Sequence, residues 1–517
     1  MRLSTFLTAV VAGTAVSVAL PQSSDVSSDS SRLLPGFPGF NFPKPLVSSI
    51  VLRNLITRRD LSSKAQTLQR FADASPGRNR VFGSPGHNAT VNWLYDELVK
   101  LDAYDVYLQP FTETYAENSA KVTVDAVDQG AGPFTYAPGG QVTEQLVQVA
   151  NVGCAASDFP AAVSGKIALI SRGTCPFASK VGLAGAAGAK AALIYNNADG
   201  ALSGTLGGTS TPEGPYVPVA SLDKARGDAL VGRLAAGETV TAALDIVGIT
   251  EDRETYNVIA QTRTGDPNEV YFVGSHTDSV IAGPGINDNG SGTISLLTIA
   301  QKLKNFRTNK AIRFGFWSAE EFGLLGAEHY VRTLSTEERN KIRVYGNFDM
   351  VASPNYVYGV YDGSGRAFNI TGPAGSTEGQ DLLQSYFRSQ RLNTVPSGFD
   401  GRSDYGPFLE ANIACLGLFT GAEELKTEEE ARLFGGQAGV ALDANYHKAG
   451  DDINNLNYDA FLANAKAIAH TIATYGRGFQ SLPPKEQAVP QPQLRIANAQ
   501  HAHKGSIKRC GETLLEA

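Results

Sequence analysis

The chain has 517 residues, enough for about three domains, with 42% hydrophobic and 18% charged residues. That composition excludes a disordered chain and supplies a sizeable core. A formal net charge of -7 excludes nucleic-acid or anionic-membrane binding as a property of the whole protein.

The first residues, MRLSTFLTAVVAGTAVSVALPQ, place Arg2 ahead of an apolar run from Phe6 to Val18, with small residues at Ser17 and Ala19. This is the pattern of a secretory signal peptide over residues 1–19. The run is too short for a membrane anchor, and polar chain follows at once. No later stretch is long and apolar enough to span a bilayer. The expectation is a secreted, extracellular protein, with vacuolar delivery as the alternative. Residues 20–60 are Ser/Asp-rich and then Pro/Gly/Phe-rich, which reads as a propeptide or extended arm. Arg58-Arg59 suits a processing protease or an ordinary exposed turn equally.

From Leu61 to Leu101 apolar residues recur at helical spacing: Leu68 and Phe71, then Val91, Leu94, Tyr95 and Leu98. Residues 104–127 alternate like strands. Between 129 and 245 the composition shifts to Gly, Ala and Val. There Lys166–Ile170 and Ala191–Tyr195 read as strands flanking an Ala/Gly-rich helix. Cys154 and Cys175 close a short loop in this module, and in an oxidising compartment they are expected to pair. Cys415, in an apolar run, suits a buried thiol or a pairing with Cys510. From Tyr256 strands and helices alternate: Asn257–Gln261, Val270–Ser275, Ala311–Trp317 and Arg343–Phe348 as strands, Ile294–Leu303, Leu324–Thr333 and Gln380–Arg388 as helices. The expected fold is α/β, a mixed, largely parallel sheet with helices on both faces, formed by residues 61–128 and 246–480 around a β-rich insert at 129–245. Residues 481–517 read as a low-order tail. Sequons at Asn88 and Asn369 are candidate glycosylation sites; a third, at Asn289, abuts the chemistry below and is set aside.

In such sheets, sites form beyond the carboxyl ends of strands. His276 ends the run VYFVGSH, with Asp278 two residues on and Asp288 on the Gly/Pro-rich loop GPGINDNG. Glu320 and Glu321 follow a second apolar run; adjacent carboxylates there repel unless a cation or a shared proton relieves them. Asp349 ends a third strand, and Tyr446-His447 lies in the polar loop ALDANYHKAGDD. His87 reads as a loop residue, His329 and His470 as helix-face residues. Zinc takes His nitrogen and carboxylate oxygen. Two His and three carboxylates serve two zinc ions about 3.5–4 Å apart if one carboxylate bridges them. Taken singly, each of these residues is also an ordinary cap or turn former.

The segments SHTDSV, GPGINDNGSG, SAEEFGLLGA, NFDM, FDGRSDYGPF and NYHKAGDD resemble metallopeptidase family 28, and within it the secreted fungal leucine aminopeptidases related to vacuolar aminopeptidase Y. The resemblance runs from about Ser48 to Gly476, and residues 129–245 resemble the protease-associated domain. It implies the zinc-exopeptidase fold and a two-zinc site. One zinc would take His276 and Asp349, the other Glu321 and His447, with Asp288 bridging. Glu320 matches the general base, Asp278 the carboxylate that orients His276, and Tyr446 the group that steadies the tetrahedral intermediate. Arg402 and Asp404, in GRSDY, fall in the segment near the substrate amine. The implied activity is hydrolysis of Leu-like and other apolar N-terminal residues from peptides with a free amino terminus, by a monomer with no nucleic-acid or membrane partner. Three competing readings are a carboxypeptidase or dipeptidase on the same scaffold, a one-zinc glutaminyl cyclase, and a non-catalytic receptor using the protease-associated domain.

Overall fold

Two strands of unusual length, Tyr104–Val124 and Thr241–Thr262, pair antiparallel from Tyr104 with Thr262 to Val124 with Ala242 and form a continuous ribbon. The computed structural model describes residues 43–202 and 204–485. Two contact units divide the chain, Met1–Lys44 and Pro45–Ala517, and the second holds every helix and strand among the described residues. The expected signal peptide and Cys510 lie outside the described residues.

At its Thr262 end the ribbon joins a mixed sheet. Val258–Gln261 run antiparallel to Arg313–Phe316 of the strand Lys310–Trp317. Next come Asp266–His276, Ile342–Phe348 and Cys415–Phe419, all parallel. The short strands Gly359–Tyr361 and Val395–Ser397 close the edge, the first antiparallel to its neighbour. The parallel strands are buried throughout Val270 to His276, Ala311 to Trp317 and Val344 to Phe348. That burial explains their continuous apolar runs, because helices cover both faces. One of these helices, Gly290–Leu303, is buried from Gly290 through Ala300. Gly274 permits a tight contact at the centre: a Cβ there would lie 2.2 Å from the Tyr345 hydroxyl and 2.5 Å from Trp317 Nε1. The Trp317 indole instead donates to Tyr345 at 2.8 Å.

At its other end the ribbon enters a second sheet through Gly140–Gln148. The parallel strands Ile167–Ser171, Ala191–Tyr195 and Val219–Leu222 follow. This insert has its own core, including Phe134, Val163, Ile170, Val181 and Ile194, and the Cys154–Cys175 disulfide. Cys415 is a buried free thiol.

Residues 45–60, expected as the close of an arm or propeptide, pack onto the peptidase half. Val47, Leu52 and Ile56 are buried. Val47 N–H donates to Arg307 O at 2.9 Å, and its carbonyl accepts from Arg477 at 3.0 Å. Arg58 and Arg59 open the helix Arg58–Asp73, and Arg58 pairs with Asp459 at 2.7 Å. Likewise the first residues of the expected tail are held: Lys485 Nζ donates to Arg339 O and Asn340 O.

Leu52→Ala should destabilise the protein by about 3 kcal/mol, the usual cost of emptying a fully buried leucine site, read as a lowered midpoint of urea denaturation. His470, on the helix Tyr458–Arg477, places Nδ1 2.7 Å from Ser49 Oγ and stacks on Tyr386. Burial, reinforced by Arg53, pushes its pKa from 6.5 down to about 4. Between those values the unfolded chain binds more protons than the folded one. The neutral imidazole therefore stabilises fully above pH 6.5, and that stability is lost as pH falls towards 4. Stability measured from about pH 7 to about pH 4.5 should drop less steeply in His470→Gln than in the wild type.

Candidate metal centre

The register of the parallel strands sets which loops meet. His276 pairs with Trp317, so the loop of residues 318–324 starts beside it, and Gly274 pairs with Asn347, two residues before Asp349. Asp288 arrives on the loop that precedes Gly290–Leu303, and His447 on the loop that precedes Tyr458–Arg477. Asp288 joins Asn289 through a cis peptide. Asn289, the sequon set aside, is fully buried and caps the helix by accepting from Gly292 N–H.

The six expected groups converge at the carboxyl end of the sheet. His276 Nε2 lies 3.2 Å from Asp288 Oδ1, 3.4 Å from Asp349 Oδ1 and 3.7 Å from Glu320 Oε2. His447 Nε2 lies 3.2 Å from Asp288 Oδ2 and 3.0 Å from Glu321 Oε2. Asp288 thus offers one oxygen to each imidazole. Three groupings of donors result, and two of them share Asp288: His276, Asp288 and Asp349, and Asp288, Glu321 and His447; the third is His276, Glu320 and Glu321. His276 Nε2, Asp349 Oδ1, His447 Nε2 and both Glu321 oxygens are buried with no hydrogen bond. A tetrahedral ion with bonds of about 2.0–2.1 Å sets its ligand atoms roughly 3.3 Å apart. Both the spacing and the orphaned lone pairs fit zinc coordination.

The electrostatics point the same way. Burial by itself disfavours charge on His276, yet Asp349 and Glu320 outweigh it and raise the imidazole well above its usual value. Burial likewise opposes His447, but Glu321 and Asp288 carry it up to about 11. Burial and then the Asp288 charge push Glu321 up to about 7. Asp288, although buried, is held below the usual carboxylate range by the two imidazoles. Protons and metal ions compete for the same lone pairs here, and the excess of carboxylate calls for added positive charge.

Asp278 does more than face His276. Its Oδ1 is 3.6 Å from His276 Nδ1, beyond hydrogen-bond range. Instead Oδ1 accepts from Glu320 N–H at 3.1 Å and Oδ2 from Glu321 N–H at 3.3 Å. Arg402 donates to the Tyr446 hydroxyl at 3.2 Å and pairs with Glu423 at 2.9 Å. Asp404 is buried with neither oxygen hydrogen-bonded, and desolvation raises its pKa well above the ordinary range. Asn88 and Asn369 are exposed.

Four supporting residues escaped the sequence reading. Ser403 donates to Asp349 Oδ2 at 2.6 Å and accepts from Asn347 Nδ2 at 2.8 Å; it sits between the two residues singled out in GRSDY. Asp451 accepts from the backbone N–H of Asn287 and Asp288, both at 2.9 Å, and lies in the acidic stretch after His447. His87 is not in a loop: it lies in the helix Pro85–Val99, with Nε2 2.9 Å from Thr277 Oγ1. Ser84 before Pro85 was its signal, an N-cap followed by proline at the first helical position. Arg80 is fully buried and donates to the carbonyls of Thr277, Pro284 and Gly285; nothing in the sequence marked it. A cavity of about 310 Å³ opens beside the donors, with Met350, Val357, Phe419 and Leu442 among its apolar walls.

A sheet with a parallel centre, carrying at its carboxyl end a buried His/Asp/Glu cluster in which Asp288 faces both imidazoles, has the donor set of a metal-dependent hydrolase. The pattern of Peptidase family M28 matches residues 257–472 and that of the PA domain residues 142–230. The chain is 52% identical to the probable leucine aminopeptidase 2 of Aspergillus fumigatus over 472 residues, covering 90% of this chain and 94% of that one. It is 46% identical to leucine aminopeptidase 2 of Arthroderma otae over 463 residues, 87% and 93% of the two chains. Among solved structures it is similar to an aminopeptidase from Aneurinibacillus sp. strain AM-1, with a TM-score of 0.57, 28% identity and coverage of 86% and 98%. It is also similar to BSAP, a zinc aminopeptidase from Bacillus subtilis, with a TM-score of 0.56, 26% identity and coverage of 83% and 96%. The chain belongs to peptidase family M28, with a PA domain inserted, and is a metalloexopeptidase, an aminopeptidase acting on peptides.

Ser403→Ala should leave Asp349 free to turn and lower metal affinity by about tenfold or more, as losses of such outer hydrogen bonds do; competition with a graded chelator measures it.

Proposed function

We propose that this chain is a secreted two-zinc aminopeptidase that removes Leu-like and other apolar residues from the amino termini of peptides. The observation that carries the reading is the sharing of Asp288 between two sets of buried donors, each completed by one imidazole and one further carboxylate. His276 and Asp349 would hold one zinc, Glu321 and His447 the other. Bound there, the two ions would make water acidic near neutral pH and polarise the scissile carbonyl.

The chain's own groups do the rest. Glu320 accepts the proton of the attacking water and returns one to the leaving amine. Asp278, holding the backbone N–H of Glu320 and Glu321, keeps that carboxylate aimed. The Tyr446 hydroxyl accepts from Arg402 and is the group that would donate to the oxyanion. The carboxylate-rich site favours a protonated substrate amine, which restricts cleavage to the terminal bond. The apolar walls of the cavity suit a leucine-sized first side chain. Arg402, the arginine that lines the cavity, is engaged by Glu423 and Tyr446, which disfavours a carboxypeptidase needing a free positive charge for the substrate carboxylate.

Secretion, or vacuolar delivery, follows from the leader-like first residues. Among the described residues no helix is long and apolar enough to cross a membrane. The exposed sequons Asn88 and Asn369 suit glycosylation. The proposed division is 1–19 leader, 20–60 propeptide or arm, 61–128 with 246–480 peptidase, 129–245 insert and 481–517 tail, acting as a monomer.

The purified protein should contain two zinc ions per chain and cleave Leu-p-nitroanilide but not its amino-acetylated form; chelation should abolish turnover. Glu320→Ala should reduce kcat by about 10²–10⁴-fold with zinc content unchanged. His276→Ala and His447→Ala should each lower zinc content. A zinc count near zero in the active wild type would overturn the assignment.

A further inference from the structure

Glu320 sits on a loop that its own residues do not favour. Ala319 and Leu324 hold φ values of 59° and 61°, in the left-handed region that side-chain-bearing residues rarely adopt. External contacts therefore hold the loop. On one side, Asp278 takes the two backbone N–H groups already described. The opposite side rests on the ribbon.

Asn257, fully buried in Thr241–Thr262, accepts from Ser318 N–H at 3.1 Å and donates to Gly326 O at 2.9 Å, so a single amide spans both ends of the loop. Thr255 Oγ1 lies 2.5 Å from Ser318 Oγ. Between these ends the Phe322 ring, two residues after Glu320, meets Phe82 edge-on at 4.8 Å and Tyr115 at 5.7 Å. Tyr115 comes from Tyr104–Val124 and is 2% exposed. The Arg253 guanidinium, from the paired strand, caps its ring at 3.4 Å. Phe111, on the same strand, stacks on His329 of the helix Leu325–Thr333 that follows the loop.

We infer that Tyr115 is a positioning residue for Glu320: its ring, clamped between Arg253 and Phe322, fixes the loop from the ribbon side. Beyond this point the same two strands supply Val122, Val124, Ala242, Leu244 and Ile246 to the core of the insert. Anchorage of the inserted domain and placement of the proton acceptor are thus one mechanical structure. This inference rests on the proposed role of Glu320.

The test is steady-state kinetics on Leu-p-nitroanilide with parallel zinc analysis. Tyr115→Phe keeps the ring and should stay within about twofold of the wild type, while Tyr115→Ala should lose about tenfold in kcat with KM and zinc content little changed, the cost expected of a displaced reacting group. Phe322→Leu, which trims the clamp from the other side, should lose about threefold in kcat. In a Glu320→Asp background, where the carboxylate is already displaced, Tyr115→Ala should cost no more than about threefold further, since groups acting as a unit are not additive. A zinc-loaded Tyr115→Ala with wild-type kcat overturns the inference, as does a loss in Tyr115→Phe equal to that in Tyr115→Ala. If Tyr115→Ala does not fold, an unchanged kcat in Phe322→Leu overturns it instead. Retained turnover in Glu320→Ala would sink the proton-acceptor reading itself, a separate outcome.

Discussion

Asp288, Glu320, Glu321 and Asp349 are packed with two imidazoles at the end of a sheet where little water reaches them. Charge taken out of water is costly unless it is paired and hydrogen-bonded. Several of these atoms have no hydrogen bond at all, so the surrounding protein leaves their charge uncompensated at the point where an added cation would balance it. Much of the nearby structure follows from that imbalance.

The supports around the cluster act on the backbone or on the oxygen turned away from the shared centre. Asp451 holds the amides of Asn287 and Asp288, Asp278 those of Glu320 and Glu321, and Ser403 the outer oxygen of Asp349. Arg80 is buried against three carbonyls of the loop between His276 and Asp288, and burial pushes it down to about 10 against the pull of Asp278 and Asp451. These contacts hold backbone groups or the outer oxygen of Asp349 and leave the atoms that face the shared centre to a ligand, which is how a site is kept both rigid and open.

How far the sequence spoke depended on distance along the chain. Val270–Ser275 and Ala311–Trp317 were readable as strands because a parallel strand covered on both faces is a continuous apolar run. The residues expected at the site stood out through their placement just past such runs. The ribbon was only half visible: residues 104–127 alternate, but their partner lies beyond the insert, and pairing at that separation leaves no local trace. His87 and Asp451 did carry local signals, an N-cap before proline and an acidic pair after His447. Arg80 carried none, because a buried arginine that binds only backbone carbonyls obeys no periodicity.

By itself, then, the sequence determined the strand-and-helix alternation and the insert with its cysteine pair, which rest on local composition and order, while the expected site residues came from motifs that resemble a known family. Tertiary structure decided what touches what. Strand register brought five loops to one point and gave one oxygen of Asp288 to each imidazole. It turned Asp278 towards the Glu320 and Glu321 amides, packed Val47, Leu52 and Ile56 onto the body, and set the ribbon against Phe322. These outcomes depend on side-chain direction and on contacts between residues remote in the chain, which only the assembled sheet and its packing specify.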